Sequence, residues 1–161
     1  TFYYRIACMY FGAGDNDSAI TWLNRIINQR NPDYRADIQC FARILNLICH
    51  YELGNAQLVE YQVKSVYRFL AKMEDLGAVH QAIFRFLRRL TRIQKSELPD
   101  AFTKLIDQLT SLKKDPFELR PFLYLDIISW LESKLQDRPV QEIIKEKYLA
   151  RKARMSKTTA S

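Results

Sequence analysis

The sequence predicts an all-α fold: an α/α superhelix, or solenoid, of about four antiparallel helical hairpins and eight helices. Three observations carry that expectation. Apolar residues recur at spacings of three and four along nearly the whole chain, the period of an amphipathic helix. Only four Gly and five Pro occur in 161 residues, too few for the many tight turns of an all-β fold. The turns inside successive hairpins centre near Gly14, Gly54, Gln94 and Gln136, at intervals of 40, 40 and 42 residues. A hairpin of amphipathic helices has one face it cannot bury alone, so a regular period implies stacked neighbours.

The elements follow in order. Helices are expected over 2–12, 17–29, 34–53, 56–75, 78–93, 98–113, 118–135 and 139–152. Ala19, Leu23, Ile26 and Ile27 share one face of the second. Ile38, Phe41, Ala42, Leu45, Ile48 and Cys49 do so in the third, and Val59, Val63, Val66, Leu70 and Met73 in the fourth. Val79, Ile83, Phe86, Leu87 and Leu90 line the fifth; Phe102, Leu105, Ile106, Leu109 and Leu112 line the sixth. Leu119, Phe122, Leu123, Ile127, Trp130 and Leu131 repeat the pattern, and Val140, Ile143 and Ile144 open the last helix.

The breaks have mechanisms. Gly12-Ala13-Gly14-Asp15 lets one helix end in a left-handed turn and offers a cap to the next. Asn31-Pro32-Asp33 stops a helix because Pro has no amide donor. Gly54-Asn55 and Gly77 are further stops, and Ser96 to Pro99 suits a new start. Asp115-Pro116-Phe117-Glu118 reads as an N-cap, Pro at the first helical position and Glu at the third, with Pro121 set to shift or bend that start. Asp137-Arg138-Pro139 is the last break. The helical domain is expected over residues 1–153, as a piece of a longer chain, with 154–161 a flexible basic and polar tail.

Tyr3, Ala7, Tyr10, Gly14-Asp15, Ala19, Leu23 and Ile26 resemble the tetratricopeptide pattern. The second hairpin keeps Gly54-Asn55 but has Leu47, His50 and Val59 at the positions of small or aromatic residues, and the later hairpins keep only period and amphipathicity. The segment from Leu45 to Lys72 also resembles segments of bacterial repeat proteins of no known activity. The resemblance implies close helix approach at Ala7 and Ala19, Tyr10 filling the groove between them, and a curved surface that binds peptides or proteins through its first helices. The implied face is Tyr4, Cys8 and Phe11 from the first helix, Phe41, Ile44, Ile48 and Tyr51 from the third, and arginines from the fifth.

Those arginines form the sharpest local feature. Arg85, Arg88, Arg89 and Arg92 fall at i, i+3, i+4 and i+7 and so share one stripe. Such a stripe suits carboxylates or phosphates, because guanidinium pairs with either in bidentate fashion; it equally suits a solvated face opposite Ile83, Phe86, Leu87 and Leu90. Lys64, Arg68 and Lys72 form a second stripe on the fourth helix. Of the net charge of +7, most comes from Lys145 to Lys157, which holds six Lys or Arg and one Glu. This end reads as a solubilising tail or as a contact for nucleic acid.

Chemistry-bearing motifs are scarce. Cys8, Cys40 and Cys49 are odd in number and lie in apolar helix patterns, as reduced cytoplasmic thiols do. The two histidines differ: His50 is expected to pack inside a hairpin and His80 to sit on the surface at a helix start. Cys49 and His50 are adjacent, so on a helix they point apart and make a poor nucleophile–base pair. Neither metal-ligand spacing nor a phosphate-cradling Gly-rich loop occurs. Paired carboxylates such as Glu74-Asp75 read as solvated helix ends. No run of apolar residues is long enough to span a membrane.

The expectation is therefore a cytoplasmic, non-catalytic protein-interaction module without cofactor or metal, whose partner is a protein or peptide of acidic character. The alternatives are a nucleic-acid-binding helical repeat using the Arg stripe and basic tail, and a structural spacer. In the last case the exposed Phe2-Tyr3-Tyr4 edge would dock on further repeats or on a second copy.

Overall fold

The computed structural model describes residues 2–29, 35–73 and 77–158. These form nine α-helices and one 3₁₀ turn, with no strand among the described residues: α1 (Phe2–Gly12), α2 (Asn16–Ile27), α3 (Ala36–Glu52), α4 (Ala56–Leu70), α5 (Ala78–Leu90), α6 (Leu98–Leu112), the 3₁₀ turn (Pro116–Glu118), α7 (Arg120–Tyr124), α8 (Ile127–Gln136) and α9 (Val140–Thr158). The Asn31-Pro32-Asp33 turn and the Glu74-Asp75 pair lie outside the described residues.

The α1–α2 hairpin closes on two small residues. Ala7 and Ala19 are both fully buried, which brings the backbones together without a side chain between them. Gly14 takes the left-handed conformation (φ 81°) that ends α1, and the Asp15 carboxylate accepts the Ser18 amide at 3.0 Å to start α2. Tyr10 departs from the family expectation: it is 38% exposed instead of filling the groove.

Helix α3 is the centre of the molecule. Its Ile38, Cys40, Phe41, Ala42, Ile44, Leu45, Leu47, Ile48 and Cys49 are all buried, which leaves no solvent face over most of its length. The polar residues among them are satisfied. Gln39 donates from Nε2 to the Ile26 carbonyl at 2.8 Å, which ties α3 to the end of α2. Arg43 lays its guanidinium over the Phe69 ring at 3.8 Å. Helices α1, α2, α4 and α5 pack around α3.

The second half of the chain folds back on the first. Helix α6 packs on α5 and α8, α8 on α9, and α9 returns to α1. The Tyr4 hydroxyl donates to the Tyr124 carbonyl at 3.1 Å. Phe41 stacks on Tyr124 with ring centroids 5.3 Å apart. Trp130 donates from Nε1 to a Glu52 carboxylate oxygen at 2.7 Å, and Lys134 pairs with the other oxygen at 2.6 Å. Asp37 takes Arg120 at 2.9 Å. In an open solenoid each hairpin touches only its neighbours; here the first and last hairpins meet.

The expected count of eight helices becomes nine because the expected 118–135 helix is broken. Pro121 sits at the start of α7, Leu125 is extended (φ −136°, ψ 112°), and Asp126 restarts the helix by accepting the Ser129 amide at 3.2 Å. Glu118 does not complete a local capping box. Its carboxylate instead accepts the Ala78 and Val79 amides at 2.7 and 3.1 Å, which caps α5 from forty residues away. At the C-terminus, α9 runs to Thr158 and so includes residues 154–158 of the expected tail. No helix among the described residues is long and apolar enough to cross a membrane.

Candidate functional site

The ten residues expected to bind a partner divide sharply. Tyr4, Phe11, Phe41, Ile44 and Ile48 are core residues, none more than 6% exposed, and cannot line an open face. The reason is topological: the surface that α1 and α3 would offer in an open stack is the seam on which α5, α7 and α8 settle. Phe41 meets Tyr4 at 6.4 Å, Tyr124 at 5.3 Å and His80 at 4.8 Å. Tyr51 is half-buried, edge-on to Trp130 at 6.1 Å. Cys8 is also mostly covered. The apolar edge at the N-terminus is reduced in the same way: Phe2 stays 72% exposed, whereas Tyr4 is core and Tyr3 packs on Trp22 at 5.5 Å.

Arg85, Arg88, Arg89 and Arg92 are all exposed. They do not act as one stripe. Arg88 leans over the Tyr67 ring at 5.9 Å, and Arg92 lies 3.7 Å from Glu60, so these two face α4. Arg85 and Arg89, one turn apart, face α6 and line a groove of about 480 Å³ between α5 and α6. The two helices touch where Phe86 meets Phe102 at 5.7 Å, and beside that contact the small side chains of Ala82 and Ala101 line the groove. Phe86, Ile93 and Leu105 give it an apolar floor.

The charge balance of the groove favours an anionic guest. Lys104 on the opposite wall pairs with Asp100 at 2.6 Å, an exposed i,i+4 contact. Such surface pairs contribute little and are easily exchanged. Glu97 is the other acid on the rim. Neither Arg85 nor Arg89 has an ion-pair partner among the described residues. Sequence reading found the arginines but not Lys104 or the floor; the signal was the alanine on each flank, Ala82 and Ala101, opposite long cationic neighbours.

The remaining reactive groups are quiet. Burial pushes the Cys8 thiol up to about 11 and Cys40 up to about 12, and raises Cys49 further, so all three free thiols stay protonated at neutral pH. His50 turns towards Asn55, 3.3 Å from its amide nitrogen, and makes no pair with Cys49. His80 corrects the surface expectation. Both its ring nitrogens are buried without a hydrogen-bond partner among the described residues, and desolvation lowers its pKa against the opposing pull of Glu118 and Asp37. Among the described residues, no three His, Cys, Asp or Glu side chains are grouped to hold a metal.

No protein-family model matches the chain, and comparison with curated proteins and with solved structures gives no match.

Proposed function

We propose that the chain is a protein-interaction module, tetratricopeptide-like in its first hairpin, and that the α5–α6 groove takes an acidic, amphipathic segment of a partner protein. The observation that carries this reading is the pair Arg85 and Arg89, exposed and without an ion-pair partner among the described residues, above the apolar floor of Phe86 and Leu105. Two guanidinium groups at i,i+4 lie roughly 6 Å apart at their Cβ atoms, the spacing of two carboxylates one turn apart on a guest helix. The floor supplies the apolar anchor such a helix needs. The interaction face of this reading is thus on the fifth and sixth helices, not on the first and third.

The test uses fluorescein-labelled helical peptides carrying Glu at i and i+4 beside leucines, titrated with the protein and followed by anisotropy. Arg85→Glu/Arg89→Glu is expected to weaken binding at least tenfold with an unchanged circular dichroism spectrum. Equal binding by the variant, or no binding of any acidic peptide by the parent protein, overturns the reading.

A further inference from the structure

The second cationic stripe of the sequence, on α4, takes no part in the α5–α6 groove. The buried set Val59, Val63, Val66 and Leu70 fixes which way this helix faces. Its opposite side carries Tyr61, Lys64 and Arg68, spaced by three and four residues and all exposed. The register with α5 extends the patch. Glu60 lies 3.7 Å from Arg92, and Tyr67 stacks on Phe84 with ring centroids 5.9 Å apart, so the two helices run antiparallel. Lys64 is therefore level with Arg88, which leans over the Tyr67 ring. Lys64, Arg68 and Arg88 form a triangle of cations across the α4–α5 ridge.

The charge of this triangle is uncompensated. Glu60 is the one acid of α4, and it is taken up by Arg92 and by the Thr91 hydroxyl, which donates to it at 3.2 Å. Arg68 donates from Nε to the Lys64 backbone carbonyl at 3.4 Å, a neutral acceptor. None of the three cations has an ion-pair partner among the described residues. Tyr61 stands one turn from Lys64, 75% exposed, with no ring or cation against it among the described residues. Tyr67 differs, since its ring already holds Phe84 and Arg88.

A free aromatic ring beside free cations selects the partner. An acidic peptide would take up the cations and leave Tyr61 without a flat counterpart. A duplex keeps the faces of its bases inside the stack. A single strand offers one anion and one flat ring in every residue, and aromatic side chains beside a cationic track are how proteins hold unpaired bases.

We propose that the α4–α5 ridge binds single-stranded nucleic acid without reading sequence. Lys64, Arg68 and Arg88 hold backbone phosphates, and Tyr61 stacks on an unpaired base. The ridge is separate from the α5–α6 groove and does not rest on the reading given for it.

The experiment is fluorescence anisotropy of a labelled oligothymidylate of about fifteen nucleotides with the whole chain, across salt. With three phosphates engaged, affinity is expected to fall roughly 20-fold between about 50 and 200 mM salt. Lys64→Gln/Arg68→Gln is expected to weaken binding at least tenfold at the lower salt and to flatten the log–log slope by about 1.4. Tyr61→Ala is expected to weaken it about tenfold at every salt concentration and to leave the slope unchanged. Tyr61→Trp keeps a stacking surface and is expected to retain binding. These positions are exposed, so the circular dichroism spectrum is expected to stay the same. Arg151→Gln/Lys152→Gln makes the same change of charge on the exposed face of α9 and is expected to alter affinity less than about twofold. The proposal is overturned if no oligothymidylate binds at the lower salt, or if Tyr61→Ala binds as the parent does. Equal loss in the α9 variant, equal affinity for a duplex of the same length, or preference for polyglutamate or phosphatidylserine-containing vesicles overturns it as well.

Discussion

Two hairpins of this molecule use alanine in opposite ways. In α1–α2, Ala7 and Ala19 are fully buried on the seam, so the helices close on each other. In α5–α6, the seam is held by Phe86 against Phe102, and Ala82 and Ala101 line the groove beside that contact. The same residue type gives a sealed joint in one place and a concavity in the other. The connections differ accordingly: three residues, 13–15, join the first pair, and seven, 91–97, join the second. A hairpin's openness thus follows from where its small residues fall relative to the contact line, not from how many it has.

The largest expected effect comes from forcing the sealed joint. Ala19→Leu places a branched side chain where there is no room and is expected to cost about 1–3 kcal/mol in chemical denaturation. A cost near zero would mean the α1–α2 seam is looser than its burial implies. The second hairpin is expected to respond instead to a residue outside it. Glu118→Ala leaves the first amides of α5 without their acceptor and is expected to lower stability by ~1 kcal/mol, with hydrogen exchange accelerated first at Ala78 and Val79. Exchange accelerated evenly over the whole chain would show that this contact does not act as a cap. The smallest effect on stability is expected at the flank. Ala101→Leu grows into the open groove, changes stability by less than ~0.5 kcal/mol, and weakens acidic-peptide binding by occupying the floor. Unchanged peptide affinity in that variant would separate the arginines from the groove beneath them.

Much of the helical layout was legible from sequence. Gly14, Asp15 and Gly54 ended or began helices where their chemistry required it, and the expected apolar sets of α2, α4, α5 and α6 are largely the buried ones. The centrality of α3 was written in the sequence but read too narrowly. Ile38, Phe41, Leu45 and Ile48 mark one face, yet Cys40, Ile44 and Leu47 fill the others, and a helix apolar on every side belongs inside. Phe41 and Ile48 were expected both in the apolar set and on the binding face, and a helix buried on every side leaves room only for the first. The break between α7 and α8 was hidden for a different reason. Its apolar residues keep a helical period across Leu125 and Asp126, and only the capture of the Ser129 amide by Asp126 interrupts it. The role of Glu118 could not be read locally, because its partners lie forty positions upstream. At the candidate site the exposure of the arginines was legible, whereas their division between α4 and α6 depends on which neighbours pack on each flank.

The bond from the Tyr4 hydroxyl to the Tyr124 carbonyl spans 120 positions. An array of repeats can fray from one end, lose a unit and keep the remainder folded. Where α1 and α7 share a core, neither can be shed without uncovering the other. Removing the last helices would strip the cover from Tyr4 and Phe41, and removing the first would orphan Tyr124 and the underside of α9. Unfolding is therefore a concerted event with little room for partly melted forms, and assembly must wait on contacts that are distant in the chain. The exposed flanks of α4 and α5 are thus carried on a body that holds its shape as a whole.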